Sequence, residues 1–457
     1  MRRLLALCTL LAATAAATTA DTTAAAPAAS GTPTAFVLAG GGWGHGVGMS
    51  QWGAFGQAKA GRGFEQILAT YYRGTEFGST PAALLDRVRV LVADGLPAAA
   101  VTNVIAVFDG IGKRYPVPAG KVTIGPDLKL PVGKDGKRIP LSGPLTLRTA
   151  EDTYLTYRGK DFRGDLRVSG VGGRIQLVNV VGLEDYLLGV VPGEMPKDWP
   201  IEALKAQAVA ARTYAVGHVV KGKGFDLYSD WRSQVYYGVG AEAPGPSRAV
   251  VETRGRILTF DGAPAQTLYF SSSGGRTISS LDAFGSDVPY LVSVEDPWDV
   301  SSPNHAWPPQ LLTGAQLAKR FSLAGTVTDV TYVPGAPGKP AVIRLTTATG
   351  VADVRLSAVR TRLGLKSTGF RLGVLRLDRP SRQGGADGFV RLTGVARDLT
   401  DVVLEQRGPA GTWSTVKRLA PAANGAFVVK LRPTGTTVYR LSADGLAGLP
   451  LTVRVAA

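Results

Sequence analysis

One glutamate, Glu194, has the surroundings expected of a catalytic acid. Apolar residues and prolines border it on both sides, in a loop that we expect between Val190 and Trp199. A carboxyl group in such surroundings loses hydration, which raises its pKa toward the range in which a general acid works. The competing interpretation is that Glu194 accepts hydrogen bonds from the first N–H groups of the next helix, because acidic residues are favoured at helix starts.

An alanine-rich helix is predicted directly after this loop, with Pro200 as its first residue. At 100° per residue, most of its alanines fall on one broad face together with Leu204 and Tyr214, whereas Thr213 falls outside that face. The small side chains allow neighbouring strands to approach closely. The helix therefore serves first as a packing element that positions the end of the preceding loop.

Two polar residues of this helix lie on or beside its apolar face. Gln207 lies within the face, so its amide either holds a backbone loop or points into a polar cleft beside Glu194. Arg212 lies at the edge, where its guanidinium group either clamps a carboxylate or a sugar oxygen, or is solvated. The pattern leaves these alternatives open.

A glycine-dense loop is predicted at residues 40–51, with glycines at positions 40, 41, 42, 44, 46 and 48. It lacks the strand–turn–helix setting of a dinucleotide site, and no G-K-[ST] sequence follows, so a nucleotide phosphate site is poorly supported. The remaining interpretation is a tightly bent backbone that lets a polymer approach and presents His45, Ser50 and Gln51. A structural role for the lone His45 is an equal alternative.

The residue inventory predicts neither a metal nor a cofactor. Cys8 is the only cysteine, and the three histidines are far apart in sequence, so no zinc-ligand spacing is present. Asp296 and Asp299 leave a calcium site open, although the chain has no EF-hand pattern. The sequence SSSGG at 271–275 is not the G-x-S-x-G pattern of a serine hydrolase.

The distribution of charge bears on the partners of the protein, and the N-terminal residues bear on its location. The formal net charge of +16 is spread in ones and twos, without the basic stripe and interleaved aromatics of a nucleic-acid surface. An anionic wall polymer or a membrane surface is the more natural partner. Residues 1–20 have arginines, an apolar stretch and then small residues, which predicts a secretory signal peptide. No later stretch reaches the length of a transmembrane segment.

Alternating apolar residues broken by glycine, proline and aspartate predict an α+β fold that is predominantly β. We expect a signal peptide and linker at 1–33, a glycine-rich loop with helices at 34–80 that belongs to the catalytic fold, and a β-rich region at 81–160. A catalytic domain follows at 161–380. Five short, evenly spaced strands at 387–457 predict a separate Ig-like β-sandwich without a chemical site.

Several segments resemble the stage II sporulation protein D and amidase-enhancer family. They are LEDYLLGVVPGEMPKDWPIEALKAQAVAARTYA, SQVYYG, YFSSSGG, PYLVSVEDPWD, GLKSTGF, GGGWGHGVGMSQWGAFGQAKAG and ILATYYRGT, and they cover residues 36–77 and most of 161–379. The resemblance implies an exported lytic transglycosylase that cleaves peptidoglycan glycan strands between MurNAc and GlcNAc. Glu194 would be its single acid and base, and the product would carry a 1,6-anhydro ring.

The family also allows a second function, a non-catalytic wall-binding module that stimulates an amidase. For either function, the expected substrate-binding residues are His45, Ser50, Gln51, Gln207, Arg212, Tyr214, Gln234, Tyr236 and Ser273.

This chain departs from the family pattern in two ways. Some members bind zinc through a histidine and cysteines near the Q-V-Y segment, whereas Tyr228, Arg232 and Ser233 stand there, so we expect no zinc. In many members the G-H-G-V-G-M-S-Q segment follows the L-K-S-T-x-F strand, whereas here it comes first. If the fold is kept, residues 36–42 must lie beside residues 369–375.

Overall fold

The computed structural model describes residues 34–82, 87–131, 137–219, 224–380 and 389–454. The predicted signal peptide and linker at 1–33, and the chain segment at 381–388, lie outside the described residues. Strands and helices alternate along the described part, with strands in the majority. The predicted α+β fold, predominantly β, is confirmed.

The N-terminal segment forms two strands, two helices and a further strand. They are β1 (Thr34–Gly40), β2 (Met49–Ser50), α1 (Gln51–Lys59), α2 (Phe64–Tyr71) and β3 (Glu76–Ser79). The region up to residue 181 is built of strands: β4 (Val88–Leu96), β5 (Ala99–Thr102), β6 (Ala106–Phe108), β7 (Arg114–Pro116), β8 (Lys121–Ile124), β9 (Lys129–Pro131), β10 (Arg138–Pro140), β11 (Leu145–Arg148), β12 (Leu155–Tyr157), β13 (Lys160–Phe162), β14 (Asp165–Val171) and β15 (Arg174–Val181).

Helices then interrupt the strands. The elements are α3 (Leu183–Glu194), α4 (Ile201–Gly217), β16 (Leu227–Tyr228), α5 (Pro244–Glu252), β17 (Arg256–Phe260), β18 (Ala263–Pro264), β19 (Tyr269–Phe270) and α6 (Ser280–Phe284). Short 3-10 helices lie at Val239–Ala241 and Pro297–Ser301. This region carries the Glu194 helix and the buried helix α4 behind it.

The last part returns to strands. It contains β20 (Gln310–Thr313), α7 (Gly314–Phe321), β21 (Val327–Val333), β22 (Val342–Thr347), β23 (Gly350–Arg355), α8 (Leu356–Leu363), β24 (Phe370–Leu377), β25 (Val390–Arg397), β26 (Val403–Arg407), β27 (Trp413–Arg418), β28 (Ala426–Leu431), β29 (Thr437–Ala443), β30 (Leu446–Ala447) and β31 (Leu451–Val453).

Two sheets organise the molecule. The larger has the strand order β16-β4-β15-β14-β11-β6-β7, and its β15 leads directly into α3. Its alternating strands turn apolar residues such as Leu166 and Val168 toward the main hydrophobic core, which α3 and α4 also fill. The second sheet has the order β20-β1-β24-β25-β28.

The N-terminal strand lies beside the strand near residue 370, as the displaced G-H-G-V-G-M-S-Q segment requires. β1 pairs antiparallel with β24, with Phe36 opposite Val374 and Gly40 opposite Phe370. The backbone N–H of Gly41 donates to the Gly369 carbonyl at 2.9 Å. The predicted adjacency of residues 36–42 and 369–375 is therefore confirmed.

The C-terminal strands are continuous with the rest of the fold. β25 pairs with β24, so the second sheet crosses the predicted boundary between 380 and 387. One core cluster joins Val37 and Leu375 to Leu392, Leu404 and Leu441, from both the second sheet and the β26–β31 strands. The sheet β20-β1-β24-β25-β28 thus shares a core with a further sheet of strands β26, β27, β29, β30 and β31. The C-terminal strands share this sheet and core with β1 and β24, which the predicted separate module did not include.

Candidate active site

Glu194 is the last residue of helix α3. The helix begins after Gly182 with Glu184 and Asp185 in its first turn, where acidic side chains face the positive end of the helix dipole. It continues through Pro192, and the chain becomes extended only at Met195. The prediction of a loop around Glu194 is wrong, because Pro192 removes one backbone hydrogen bond without ending the helix.

Two glycines on one face of α3 let another segment come close to Glu194. Gly189 and Gly193 are four residues apart, so they share a face. A Cβ on Gly189 would lie 2.8 Å from the Tyr236 ring, and one on Gly193 would lie 2.8 Å from the Val235 carbonyl. This contact places the Val235 N–H 2.6 Å from Oε1 of Glu194. The alternative interpretation expected the Glu194 carboxylate to accept from the first N–H groups of α4. Among the described residues, the backbone N–H that donates to it is instead that of Val235.

Burial dominates the electrostatics of Glu194. It raises the pKa of the carboxyl group, while hydrogen bonds from the Val235 N–H and the Tyr269 side chain oppose this rise. The net pKa lies above the ordinary value, as the apolar neighbours predicted. None of these causes is another carboxylate, so Glu194 stands as a single acid whose protonation the fold itself controls.

Three tyrosine side chains surround the carboxylate. Burial raises the pKa of Tyr186, Tyr214 and Tyr269, and the negative charge of Glu194 raises each further. Their hydroxyls therefore stay protonated and can donate hydrogen bonds. Tyr214 is half-buried, whereas Tyr186 is fully buried. Of these three tyrosines, Tyr214 is thus the one with a partly exposed side chain that was also predicted to bind substrate.

Gln51, which is hydrogen-bonded to Gln207, holds the backbone at the C-terminal end of α3. The Gln51 amide donates to the Glu194 backbone carbonyl at 3.1 Å and to Oε1 of Gln207 at 3.3 Å. Gln207 is fully buried, and its Nε2 has no partner among the described atoms. Of the two roles left open for Gln207, the contact with Gln51 supports the structural one, in which the amide helps to hold a backbone segment.

Arg212 binds a carboxylate of the protein itself. Its guanidinium donates to both oxygens of Glu184 at 2.7 and 2.8 Å, and to the carbonyls of Val250 and Arg256 at 3.2 Å. The side chain is completely buried. Its predicted role in substrate binding is therefore corrected to a structural one, in which it ties α3, α4 and α5 together.

Ser50 and Ser273 are also structural. Ser50 caps α1 by accepting from the Gly53 N–H at 3.1 Å and donates to Asp299 at 3.2 Å. Ser273 donates to Asp296 at 2.8 Å. Both serines are buried, which corrects their predicted role as substrate contacts. O–H and N–H donors surround the two aspartates, so their oxygens do not form the oxygen cage that calcium requires.

Gln234 and Tyr236 face the interior as well. Gln234 is fully buried and hydrogen-bonds to Tyr186, Tyr269 and the Ala211 carbonyl. The Tyr236 hydroxyl donates to Asn179 at 2.8 Å within the core. Both residues support the Glu194 site from inside, and the prediction that they contact substrate is corrected.

The glycine-rich loop packs against the protein's own backbone. A Cβ on Gly41 would lie 1.9 Å from the His305 carbonyl, and one on Gly48 would lie 2.0 Å from the Leu268 carbonyl. The His45 ring contacts the rings of Phe270 and Phe284, with centroid distances of 5.4 and 5.7 Å. The loop therefore does not lie open to a polymer as expected, and the structure favours the structural role of His45.

The residues at the family's zinc positions contact one another. The Arg232 guanidinium lies 3.9 Å from the Tyr228 ring centroid, and Ser233 accepts from the Tyr228 N–H at 3.1 Å. None offers an imidazole or a thiolate, so they do not fit zinc. Among the described residues, no group of three or more His, Cys, Asp or Glu side chains could hold a metal ion.

Aromatic residues occur on two segments connected with Glu194, the one that follows α3 and the one that carries Val235. The ring of the half-buried Trp199 contacts two rings of α1, with centroid distances of 4.9 Å to Trp52 and 5.0 Å to Phe55. On the segment that binds the Glu194 carboxylate, Tyr237 is 49% exposed and Trp231 is 85% exposed. Both rings are therefore available to solvent on the segment that binds the Glu194 carboxylate.

Sequence reasoning missed Tyr269, Trp52 and Phe55. All three lie in segments that carry the family resemblance, but nothing in the sequence shows that Trp52 and Phe55 approach Trp199 or that Tyr269 approaches Glu194. Tyr269 does so because β19 pairs in parallel with β2, with Tyr269 opposite Met49.

No helix in the described ranges is long and apolar enough to cross a membrane.

Part of the chain is similar in sequence to a known protein family. The family model for the stage II sporulation protein, SpoIID, matches residues 171–260. Stage II sporulation protein D of Bacillus subtilis (strain 168) is 34% identical over 219 residues, 43% of this chain and 61% of that protein. The amidase enhancer of the same organism is 40% identical over 113 residues, 25% of this chain and 15% of that protein.

An uncharacterized protein of Brachyspira hyodysenteriae (strain ATCC 49526 / WA1) is 40% identical over 142 residues, 30% of this chain and 39% of that protein. The chain thus spans less than two thirds of the length of each of these relatives. The matched family region contains α3, α4 and Glu194. Through this shared region, the chain is similar to the stage II sporulation protein D and amidase-enhancer family.

Proposed function

We propose that this protein is an exported lytic transglycosylase that cleaves peptidoglycan glycan strands between MurNAc and GlcNAc. The observation that carries the proposal is Glu194, a half-buried acid with a raised pKa and no second carboxylate among the groups that perturb it. Most glycosidases need two carboxylates, because one must activate water or attack the sugar. A lytic transglycosylase needs one, because the C6 hydroxyl of the sugar is the nucleophile.

The reaction uses Glu194 twice. Protonated Glu194 donates its proton to the glycosidic oxygen as the C1–O bond breaks. The resulting carboxylate then takes the proton of the C6 hydroxyl while the C6 oxygen bonds to C1 and closes the 1,6-anhydro ring. The Val235 N–H donates to Oε1, so Oε2 carries the proton in the acid form. Proton transfer by a positioned side chain contributes roughly 10²–10⁴ in rate.

The surroundings of Glu194 agree with a glycan substrate. Trp231 and Tyr237 are exposed on the segment that carries Val235, and Trp199 lies five residues after Glu194 in the chain. Aromatic rings of this kind stack on the apolar faces of sugars. The net charge of +16 favours an anionic wall polymer.

The deciding experiment compares the wild-type protein with Glu194→Gln on purified glycan strands, with and without stem peptides. Mass spectrometry should detect anhydro-muropeptides with the wild type and none with the variant. Gln keeps an oxygen that accepts from Val235, so sedimentation with the strands should show equal binding by both proteins. Equal binding without an anhydro product from either protein would remove the enzyme proposal.

The match to an amidase enhancer supports a second candidate function, a non-catalytic wall-binding module that stimulates an amidase. In that case Glu194→Gln would increase the release of stem peptides by an added cell-wall amidase as strongly as the wild type does. The transglycosylase proposal instead expects the variant to lose any stimulation that depends on strand cleavage.

A further inference from the structure

We propose that Lys160 and Tyr237 form a subsite beside Glu194 that binds an acidic sugar. The ring of Tyr237 stacks on the sugar, and the ammonium group of Lys160 binds a carboxylate that the sugar carries. Lys160 is then a specificity-determining residue. The identity of the ligand as a wall glycan rests on the proposed function, whereas the preference for a carboxylate rests on these two residues.

The side chains at residues 234–237 alternate between the interior and the solvent. Gln234 and Tyr236 are buried, whereas Tyr237 is 49% exposed. Tyr236 anchors the segment in the core, where its hydroxyl donates to Asn179 at 2.8 Å. The next side chain, that of Tyr237, therefore faces outward.

The outward-facing ring lies against the helix that carries the acid. A Cβ on Gly193 would lie 3.4 Å from Cδ2 of Tyr237, and Gly193 directly precedes Glu194. The Val235 N–H, two residues before Tyr237, donates to Oε1 of Glu194 at 2.6 Å. Two separate contacts thus hold Tyr237 beside the acid. An exposed tyrosine ring offers an apolar face on which a sugar can stack.

Strand β13 brings Lys160 to this ring. Gly238 has a φ of +74°, and a Cβ there would lie 2.3 Å from the Asp161 carbonyl, so only glycine lets the two backbones come this close. The Lys160 Nζ consequently lies 5.4 Å from the centroid of the Tyr237 ring. This distance is within the range of a cation–π contact.

The charge of Lys160 has no carboxylate partner among the described residues. The charged residues next to it in the chain are already bound. Asp161 accepts from the Thr156 hydroxyl at 2.6 Å, and Arg163 donates to both oxygens of Glu242 at 2.7 and 2.8 Å. Lys160 therefore presents a compact positive charge beside an aromatic ring, which is complementary to a sugar that carries a carboxylate.

Only one of the two sugars of a peptidoglycan strand has such a group. MurNAc has a lactyl ether that ends in a carboxylate, and where a stem peptide is attached this group is an amide and the peptide carries carboxylates of its own. GlcNAc has neither. A subsite that selects MurNAc beside Glu194 would set the register of the strand, and so decide which of its two glycosidic bonds meets the acid.

The test measures the binding of two soluble oligosaccharides of equal length to full-length protein by calorimetry. One is a neutral GlcNAc oligomer, and the other alternates GlcNAc with MurNAc that has free lactyl carboxylates. All proteins carry Glu194→Gln, so that the ligands stay intact. Lys160→Gln should weaken binding of the acidic oligomer about fivefold and leave the neutral oligomer unaffected, because an exposed ion pair contributes on this scale. Lys160→Arg should restore the binding.

The matched control is Lys113→Gln. The Lys113 Nζ lies 5.3 Å from the Tyr115 ring centroid, which is an equivalent pair in the turn between β6 and β7. This variant should leave both affinities unchanged. Tyr237→Ala should instead weaken the binding of both oligomers, because stacking does not depend on the carboxylate.

Three results would overturn the proposal. They are an unchanged affinity of Lys160→Gln for the acidic oligomer, an equal loss for both oligomers, and no binding of either oligomer by the parent protein. Added salt should weaken the binding of the acidic oligomer more in the parent than in Lys160→Gln, because salt screens an exposed ion pair.

A third oligomer, with stem peptides on its MurNAc units, identifies the source of the carboxylate. If Lys160→Gln weakens only the peptide-free acidic oligomer, the lactyl carboxylate is the group bound. If it also weakens the peptide-bearing oligomer, Lys160 binds carboxylates of the peptide as well. Either result supports a subsite for an acidic group.

Kinetics with Glu194 intact separates this inference from the proposed function. Lys160→Gln should raise the KM for formation of anhydro product and change kcat little, because it removes binding that the substrate and the transition state share. A Lys160 effect on binding without any anhydro product would leave the subsite standing and remove only the enzymatic proposal. Anhydro product formed by Lys160→Gln with an unchanged KM would remove only the subsite.

Discussion

His45 should stay neutral down to about pH 4 in the folded protein. Burial lowers the pKa of His45 from 6.5 to about 4; a hydrogen bond to the Tyr269 carbonyl opposes this, and the charge of Arg360 lowers it further. The Val47 N–H donates to Nδ1 at 3.1 Å, so the ring proton resides on Nε2. An imidazole held in this way joins two backbone segments and has no proton to offer a substrate near neutral pH.

The magnitude follows from the difference between the folded and unfolded states. Because the folded-state pKa of His45 is below the unfolded value, the unfolded chain binds the proton first as the pH falls. Stability is therefore lost as the pH falls from about 6.5 to about 4. The full difference corresponds to about 3 kcal/mol of unfolding free energy, and about 2 kcal/mol of it is lost by pH 5.

Two measurements check this prediction. The chain has 3 histidines, so a side-chain nitrogen NMR titration can follow each, with His45→Asn identifying the resonance. Urea unfolding of the wild type should lose about 2 kcal/mol more than His45→Asn between pH 7 and pH 5. Asn keeps an acceptor for the Val47 N–H. A His45 resonance that titrates near 6.5, or equal losses in the two proteins, would refute the structural role.

Three further perturbations test the site. Glu194→Gln should raise the melting temperature at neutral pH, because burial raises the pKa of Glu194 and so makes its ionised form destabilising in the folded protein. This gain in melting temperature should vanish at a pH below 4.5, where the carboxyl group is protonated in both the folded and the unfolded state. Arg212→Met should cost about 3–5 kcal/mol in urea unfolding, because Glu184 is left buried and unpaired, and adding Glu184→Gln should restore most of this. Gly48→Ala should cost about 3 kcal/mol or more and lower the yield of folded protein, because its φ is +77° and its Cβ would lie 2.0 Å from the Leu268 carbonyl.

The sequence was sufficient to predict the raised pKa of Glu194 and the neighbours of strand β1. The apolar side chains around Glu194 are local in sequence, so the rise in its pKa could be predicted from the chain alone. The pairing of β1 with β24 could be predicted because the displaced segment must complete the same sheet. Both inferences use information that lies within one or two segments.

Burial of polar side chains could not be predicted in this way. The helical wheel placed Thr213 outside the apolar face of α4, yet Thr213 is fully buried and accepts from the Leu258 N–H at 2.9 Å. Helices α1, α2, α3 and α5 and strand β17 surround α4, and its alanines let them all approach. A helix that is packed on most of its sides, with Glu202, Lys205 and Tyr214 only half-buried, has too narrow a solvent face for a periodic pattern to reveal. Arg212 was misassigned for the same reason.

The N-terminal segment is a working part of the Glu194 site, although it lies far away in sequence. Gln51 binds the Glu194 carbonyl across 143 residues, and β2 pairs with the strand that carries Tyr269. One contact therefore holds the backbone at Glu194, and the other positions Tyr269. Because β1 pairs with β24, this N-terminal segment joins the same sheet as the strand near residue 370, although the two are more than 300 residues apart in the chain.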